Sequence, residues 1–152
     1  MAFTFSQTNS DNQMETYNLE ISIDPAAGTI NQVLEVGDTV AEDITIVNTG
    51  DVNARVYLTA DWGPGSGTTD LEATLLANAI EATVYVSADP DPTQAYSGSL
   101  IGLQNQQIVD ISATADTTVY ISLVVPDNRS GPTLLNKALH TDFVFVAISV
   151  EA

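Results

Sequence analysis

Apolar residues in this chain recur at every second position within segments rich in Val, Ile, Thr and Tyr, the pattern a strand needs when one face is buried and the other wet. Tyr17, Leu19, Ile21 and Ile23 alternate with Asn18, Glu20 and Ser22, and the run stops at Asp24-Pro25. An apolar stretch around Val33, Leu34 and Val36 leads through Gly37-Asp38 into a strand predicted over Thr39 to Asn48, with Ile44 and Ile46 on one face. Asn48-Thr49-Gly50-Asp51 supplies residues that tolerate positive φ, and Val52 to Asp61 follows with Val56, Leu58 and Ala60 on one side, so the two segments read as a hairpin. Trp62 to Gly67 reads as a loop by composition. Thr69-Asp70-Leu71-Glu72 fits a capping box and opens the one convincing helix, in which Leu71, Leu75, Leu76 and Ala79 fall at helical spacing.

Further strands are predicted over Glu81 to Ala88, Ile108 to Ser112, Thr117 to Val125 and Asp142 to Val150. Val84 and Val86 point inward in the first, Val119, Ile121, Leu123 and Val125 share a face in the third, and Phe143, Phe145 and Ala147 do so in the last. Asp89-Pro90-Asp91-Pro92 ends its strand by removing two amide donors. Leu100 to Gln107 is expected to contain a short turn or helix, Leu134 to Leu139 a helical turn, and Pro126 to Pro132 a loop. At the amino terminus Phe3 and Phe5 alternate with Ala2, Thr4 and Ser6, and the polar run Thr8 to Gln13 follows, which reads as a strand on a hydrophilic tether.

Seven or more short strands at close spacing with one or two short helices predict an all-β protein, an antiparallel β-sandwich or jelly roll. The 152 residues suit a single domain, and 44% hydrophobic residues are enough to offset the entropy of ordering the chain. Charge narrows the partners. Twenty Asp and Glu against three basic residues, Arg55, Arg129 and Lys137, give a net charge of -17, which argues against nucleic acid and anionic membrane surfaces because affinity for phosphates comes from Lys and Arg. No run approaches the length needed to span a bilayer, and Met1 to Ser6 lacks the basic and long apolar regions of a signal peptide, so a cytoplasmic or already processed chain is expected.

Little catalytic equipment is present. The chain has no cysteine and one histidine, which removes disulfides, thiolate nucleophiles, cysteine zinc sites and paired-imidazole zinc sites. His140 stands beside Thr141 and Asp142, but neighbours in a strand point to opposite faces and no Gly-x-Ser-x-Gly elbow occurs, so it reads as a structural or surface residue. Asp89 with Asp91, or Asp38 with Glu42 and Asp43, are the candidate calcium ligands; without an EF-hand pattern they read as a solvated acidic surface, and no metal or cofactor is expected. Gly63-Pro64-Gly65-Ser66-Gly67 lacks the Gly-Lys-Ser/Thr ending of a phosphate loop. Asn128-Arg129-Ser130 satisfies the N-glycosylation sequon in a predicted exposed loop, making Asn128 a candidate acceptor.

The order of these features resembles the TasA/camelysin family. Ala2-Phe3-Thr4-Phe5-Ser6-Gln7-Thr8 is similar to the mature start of its members, and Asn18-Leu19-Glu20-Ile21-Ser22-Ile23 to the strand that follows. Leu34-Glu35-Val36-Gly37-Asp38 is similar to its Leu-x-Pro-Gly-Asp segment, with Val36 at the proline position. Ile44-Thr45-Ile46-Val47-Asn48-Thr49-Gly50 matches its strand and turn, and Asp142 to Ile148 its closing Phe-x-Phe-x-Ala strand. The chain differs in lacking long lysine-rich insertions and in its acidity, which leaves archaeal bundling pili among the relatives it resembles. Some camelysin relatives are described as metallopeptidases; without a zinc-ligand set that activity does not carry over.

The resemblance implies a secreted jelly-roll subunit of a biofilm-matrix fibre or cell-surface pilus. Residues 1–13 are then a donor strand, Ala2, Phe3, Thr4, Phe5 and Ser6, with its tether, and residues 14–152 the domain. The donor completes the jelly roll of the next identical subunit, with Tyr17 to Ile23 or Phe143 to Ala147 lining the groove. Such an exchange is physically reasonable: an alternating apolar strand fills an open sheet edge, burial of Phe3 and Phe5 contributes about 3 to 6 kcal/mol before ordering costs, and head-to-tail donation that does not close a ring gives an open filament. Bundling or matrix partners are expected to respond to ionic strength. The alternative is a monomeric secreted β-sandwich that binds carbohydrate or an adhesion partner through exposed Trp62 and Tyr side chains.

Overall fold

In the computed structural model the described residues are 2–8, 14–24, 29–32, 39–87, 91–126 and 137–151. They form ten strands, one α-helix and one 3-10 turn. The strands are β1 (Ala2–Thr8), β2 (Met14–Asp24), β3 (Thr29–Gln32), β4 (Thr39–Asn48), β5 (Asn53–Pro64), β6 (Glu81–Val86), β7 (Thr93–Ser99), β8 (Gln106–Ile111), β9 (Asp116–Val124) and β10 (Leu139–Val150); helix α1 (Asp70–Ala79) lies between β5 and β6, and the 3-10 turn covers Leu100–Gly102. All strand pairs are antiparallel. They build a six-stranded sheet ordered β1-β2-β4-β9-β6-β7 and a four-stranded sheet ordered β3-β10-β5-β8. The fold is all-β, as the alternation predicts.

The two sheets share one core, because the inward positions of each strand meet those of the other sheet. Ile44 and Ile46 of β4, Val84 of β6 and Val119, Ile121 and Leu123 of β9 supply one side; Val56 and Leu58 of β5 and Phe145 and Ala147 of β10 supply the other. Each of these side chains is at most 3% exposed, so each of the larger ones, all but Ala147, contributes roughly 1.5 to 3 kcal/mol by leaving water. Alternation in the sequence correctly marks these faces.

Four expectations change. Asn48 to Asp51 does not close a hairpin: β4 pairs with β2 and β9 in one sheet, whereas β5 pairs with β10 and β8 in the other. The connection is a corner that carries the chain across the sandwich. Trp62 to Pro64 is not loop but the end of β5, because β10 pairs with β5 up to Leu139 opposite Pro64. In α1 the predicted capping box is present, with Glu72 N donating to Thr69 Oγ1 and Thr69 N to Glu72 Oε2, yet Leu71 and Leu75 are 70% and 47% exposed. Leu76 and Ala79 are buried as their spacing predicts, and Ala73 and Ala77 complete the buried face in place of the two exposed leucines, because small alanines let the helix settle closely on β5 and the 3-10 turn.

Finally, β3 and β7 have no alternating apolar signature and were not expected as strands. Their pairing comes from their neighbours. β7 is shaped by Tyr96, whose hydroxyl donates to Ser99 O at 2.7 Å and packs over Gly98 and Gly102; a Cβ at either glycine would lie within 2.8 Å of that hydroxyl. The expected loop beginning at Pro126, the helical turn over Leu134 to Leu139, the Val33 to Val36 stretch and the Asp89-Pro90 break fall wholly or mainly outside the described residues. Leu139 itself opens β10.

Candidate functional site

Ala2, Phe3, Thr4, Phe5 and Ser6 all lie in β1, which pairs with β2 of its own chain from Ala2 opposite Glu20 to Thr8 opposite Met14. This register sets Phe3 opposite Leu19 and Phe5 opposite Tyr17. β2 meets its other neighbour only further along, where Ile21 to Asp24 pair with Asn48 to Thr45 of β4. Among the described residues, Met14 to Glu20 thus has β1 as its sole strand partner, and β1 has β2 alone. The two make a ribbon that continues past the corner at which β4 leaves the sheet. Two-stranded ribbons are marginal in water without a packed face or a third strand; this one lacks a third strand among the described residues and is packed on the core at Leu19, which is buried. Tether residues 9–13 lie outside the described residues.

That corner is built by a buried amide. Asn48 is fully buried, and its Nδ2 donates to Val52 O at 2.8 Å and to Ile111 O and Ser112 O at 3.2 Å, while its Oδ1 accepts from Gly50 N at 3.1 Å. Thr49 N and Gly50 N in turn donate to Glu20 O at 2.8 and 3.2 Å. Asn is suited here because one side chain offers both donors and an acceptor, so from β4 of one sheet it satisfies carbonyls at the β5 and β8 ends of the other and an amide of its own turn. The corner therefore pins β2 at the point where the ribbon leaves the sandwich. In the sequence, Asn48-Thr49-Gly50 carries the turn signal; that the Asn is buried and spans two sheets is not encoded locally.

The second feature lies in the other sheet. β10 pairs with β5 along its whole length, Leu139 opposite Pro64 to Val150 opposite Asn53, without a register shift. On its other side β3 covers only Leu139 to Asp142. From Phe143 to Val150, among the described residues, β10 has a strand on one side only. Phe145 and Ala147 are buried there, Phe143 is half-buried against the core, and Val146 and Ile148 on the outer face are exposed. The two segments expected to line an acceptor groove, Tyr17 to Ile23 and Phe143 to Ala147, therefore lie in different sheets, in β2 and β10, which come into contact with each other.

The remaining candidates separate. Arg55 and Asp110 form a bidentate pair, Nε to Oδ1 and an Nη to Oδ2 each at 2.9 Å, on adjoining strands β5 and β8. The Arg55 hydrogen bond holds the Asp110 carboxyl below its ordinary value, and that pairing raises Arg55. Lys137 Nζ lies 3.1 Å from Glu72 Oε1; the Thr69 amide first, then Lys137, hold the Glu72 carboxyl low. Arg55 and Lys137 are thus both engaged by carboxylates. Glu42 and Asp43 are adjacent in β4 and point to opposite faces. Among the described residues no group of three or more His, Asp or Glu is placed to hold a metal ion, and no helix is long and apolar enough to cross a membrane. Asp38, Asp89 and Asn128 lie outside the described residues.

His140 sits over Gly63, where a Cβ would come within 3.1 Å of the imidazole. Strand alternation puts His140 and Asp142 on the same face with buried Thr141 between them, so the expectation that these neighbours all diverge holds only for Thr141. Trp62 is not an exposed platform: it is half-buried and packs against the core. Among the residues whose side chains are described, the exposed aromatics are Tyr85 and Tyr120, directly opposite one another on β6 and β9, with Tyr85 Oη donating to Gln94 Oε1 at 3.1 Å. No protein-family model matches the chain, and no curated protein matches it.

Proposed function

We propose that this protein is a structural subunit of an extracellular filament, a biofilm-matrix fibre or cell-surface pilus, in which jelly-roll subunits polymerise head to tail by donor-strand complementation. The observation that carries the reading is the ribbon. Among the described residues, β1 has a strand partner on one edge only, and that partner has no other strand along the same stretch. Exchange of β1 to a neighbouring copy replaces a pairing that has no third strand beside it among the described residues with one that buries Phe3 and Phe5 in a second sandwich, and the backbone hydrogen bonds lost in one place are recovered in the other. The subunits are identical, the filament needs no cofactor and no catalytic residue, and the charge of -17 recurs with every subunit. Lateral association between filaments is then opposed by repulsion that salt screens over about 10 Å at 0.1 M.

Negative-stain imaging of the full chain tests this directly. Long thin fibres are expected from the natural sequence and none from a Phe3→Asp/Phe5→Asp variant that keeps its far-ultraviolet β spectrum, because losing about 3 to 6 kcal/mol at each junction weakens it about 10²- to 10⁴-fold. Fibres of normal length from the double variant would sink the reading. The monomeric binding module is the second reading, supported by the Tyr85 and Tyr120 pair on the outer face of the six-stranded sheet. Dispersed particles of the natural sequence across a range of concentrations and salts would favour it.

A further inference from the structure

We infer that the outer face of the six-stranded sheet carries a binding strip for an uncharged β-1,4-linked polysaccharide, centred on Tyr120 and Tyr85; the inference rests on the tyrosine pair of the second reading, names its ligand, and holds for a single subunit and an assembled one alike. The strip is a row across four strands. Asp43 of β4 stands opposite Tyr120 of β9, Tyr120 opposite Tyr85 of β6, and Tyr85 opposite Gln94 of β7. Residues directly opposite in a ladder share a face, and all four are exposed, Tyr120 by 37% and Tyr85 by 38%. With ~4.8 Å between neighbouring strands, the row is about 14 Å long.

Two features set this row apart from an ordinary polar sheet face. The first is the register shift in the β6–β7 ladder between Val84 and Tyr85. Continued without it, a ladder with Val84 opposite Tyr96 would bring Ala95 to Tyr85 and Gln94 to Val86, whose side chain is buried. The extra residue turns Gln94 to the outer face instead, as bulges do when they re-aim a side chain, and Tyr85 Oη donates to Gln94 Oε1 at 3.1 Å. The second feature is relief. Same-face neighbours two residues along are short, Ser122 and Thr118 beside Tyr120 and Thr83 beside Tyr85, so the two rings form a raised apolar surface with a hydrogen-bonding group at each end. A cross-strand aromatic pair also steadies its sheet, but that role asks nothing of Asp43 or of an outward Gln94.

This chemistry selects the ligand. The C–H-bearing faces of a pyranose pack on the electron-rich faces of aromatic rings, and its hydroxyls donate to a carboxylate and pair with an amide, the groups that Asp43 and Gln94 offer. A β-1,4-linked chain is a flat ribbon whose sugars advance by nearly the distance between neighbouring strands, so consecutive sugars meet Tyr120 and Tyr85; an α-1,4-linked chain coils away from a flat row. Charge rules out acidic polymers. β4, β6, β7 and β9 contain no Lys, Arg or His, and the chain carries a net charge of -17, so uronates and phosphates are repelled.

Calorimetric titration of the full chain with cellohexaose tests this, at two temperatures because burial of apolar surface makes the heat of binding temperature-dependent. Saturable binding is expected. Tyr85→Ala and Tyr120→Ala, each checked for an unchanged far-ultraviolet β spectrum, are expected to weaken it about tenfold or more, while Tyr120→Phe, which keeps the ring, stays within about twofold. Ile148→Ala, exposed on the outer face of the other sheet, is expected to leave binding unchanged. Maltohexaose and an oligogalacturonate are expected to bind at least about tenfold more weakly than cellohexaose. No saturable binding of cellohexaose overturns the inference, and imaging still decides between filament and monomer. Fibres that bind cellohexaose uphold the strip and overturn the monomeric reading alone. Full-strength binding by both alanine variants overturns the strip, and equal or tighter binding of maltohexaose or the oligogalacturonate overturns the ligand assigned to it.

Discussion

Two antiparallel pairs in this molecule have nearly the same kind of sequence and quite different support. β5 and β10 share a ladder from Asn53–Val150 to Pro64–Leu139, and the inward side chains Val56, Leu58, Phe145 and Ala147 are locked into the common core. β1 and β2 share a ladder from Ala2–Glu20 to Thr8–Met14, also with apolar alternation, but Met14 to Glu20 has no other strand beside it among the described residues. The difference teaches that ladder hydrogen bonds do not by themselves secure a strand. Their net worth is about 1 kcal/mol each because water offers the same bonds; burial on the face, and a third strand, decide which pairing persists.

Hydrogen exchange provides the largest test of that contrast. In monomeric protein, amides of β1 are expected to exchange at least about a thousandfold faster than those at Val56 and Leu58, since local opening of a ribbon needs far less free energy than opening of the core. Equal protection in the two pairs would erase the distinction. Next in size, Leu58→Ala removes a fully buried side chain at the centre of β5 and is expected to cost about 2 to 5 kcal/mol in denaturant unfolding.

Asn48 joins the two regions, so Asn48→Ala sharpens the comparison. Removing its amide leaves the Ile111 and Val52 carbonyls without their donor, an expected loss of about 1 to 3 kcal/mol. Exchange at Ile21 to Asp24 is expected to accelerate more than at β5, since these residues hold the ribbon to the sandwich. A uniform change across both regions would show that the corner does not separate them.

The smallest effect concerns the Arg55–Asp110 pair at the exposed β5–β8 edge. Because Asp110 has a folded pKa below its ordinary value, its contribution is present above the unfolded pKa, near pH 4, and declines as pH falls through the lower folded value. Asp110→Asn is therefore expected to lower the melting temperature slightly at pH 7, with the gap closing below about pH 4 and shrinking in high salt. A gap that widens on acidification would contradict the sign.

Most of the buried face of each sheet is legible in the sequence, because Ile44 and Ile46, Val56 and Leu58, or Val119 to Val125 alternate with polar neighbours and burial enforces that alternation. Thr69 and Glu72 announce the helix for a similarly local reason. What escapes is decided by contacts far apart in the chain. Asn48-Thr49-Gly50 has the composition of a hairpin turn, and only the carbonyls of Ile111 and Ser112 make it a corner. Leu71 and Leu75 outrank Ala73 and Ala77 in hydropathy, but close approach of the helix selects the smaller side chains. β7 is polar and becomes a strand because β6 offers it an edge. Of the candidate site, the segment Ala2 to Ser6 was visible as a strand by alternation; that its home pairing lacks a second neighbour depends on where β4 turns away.

The position of the corner also fixes a length. Thr49 and Gly50 hold the carbonyl of Glu20, so if β1 lets go, the stretch from Ala2 to Glu20 is an arm anchored at one defined point. Fully extended, that arm spans on the order of 60 Å at roughly 3.3 Å per residue, whereas a domain of this size is only about 40 Å across. Its reach exceeds the body that carries it, and a second molecule can be touched at the far end of its own sandwich while the first stays folded.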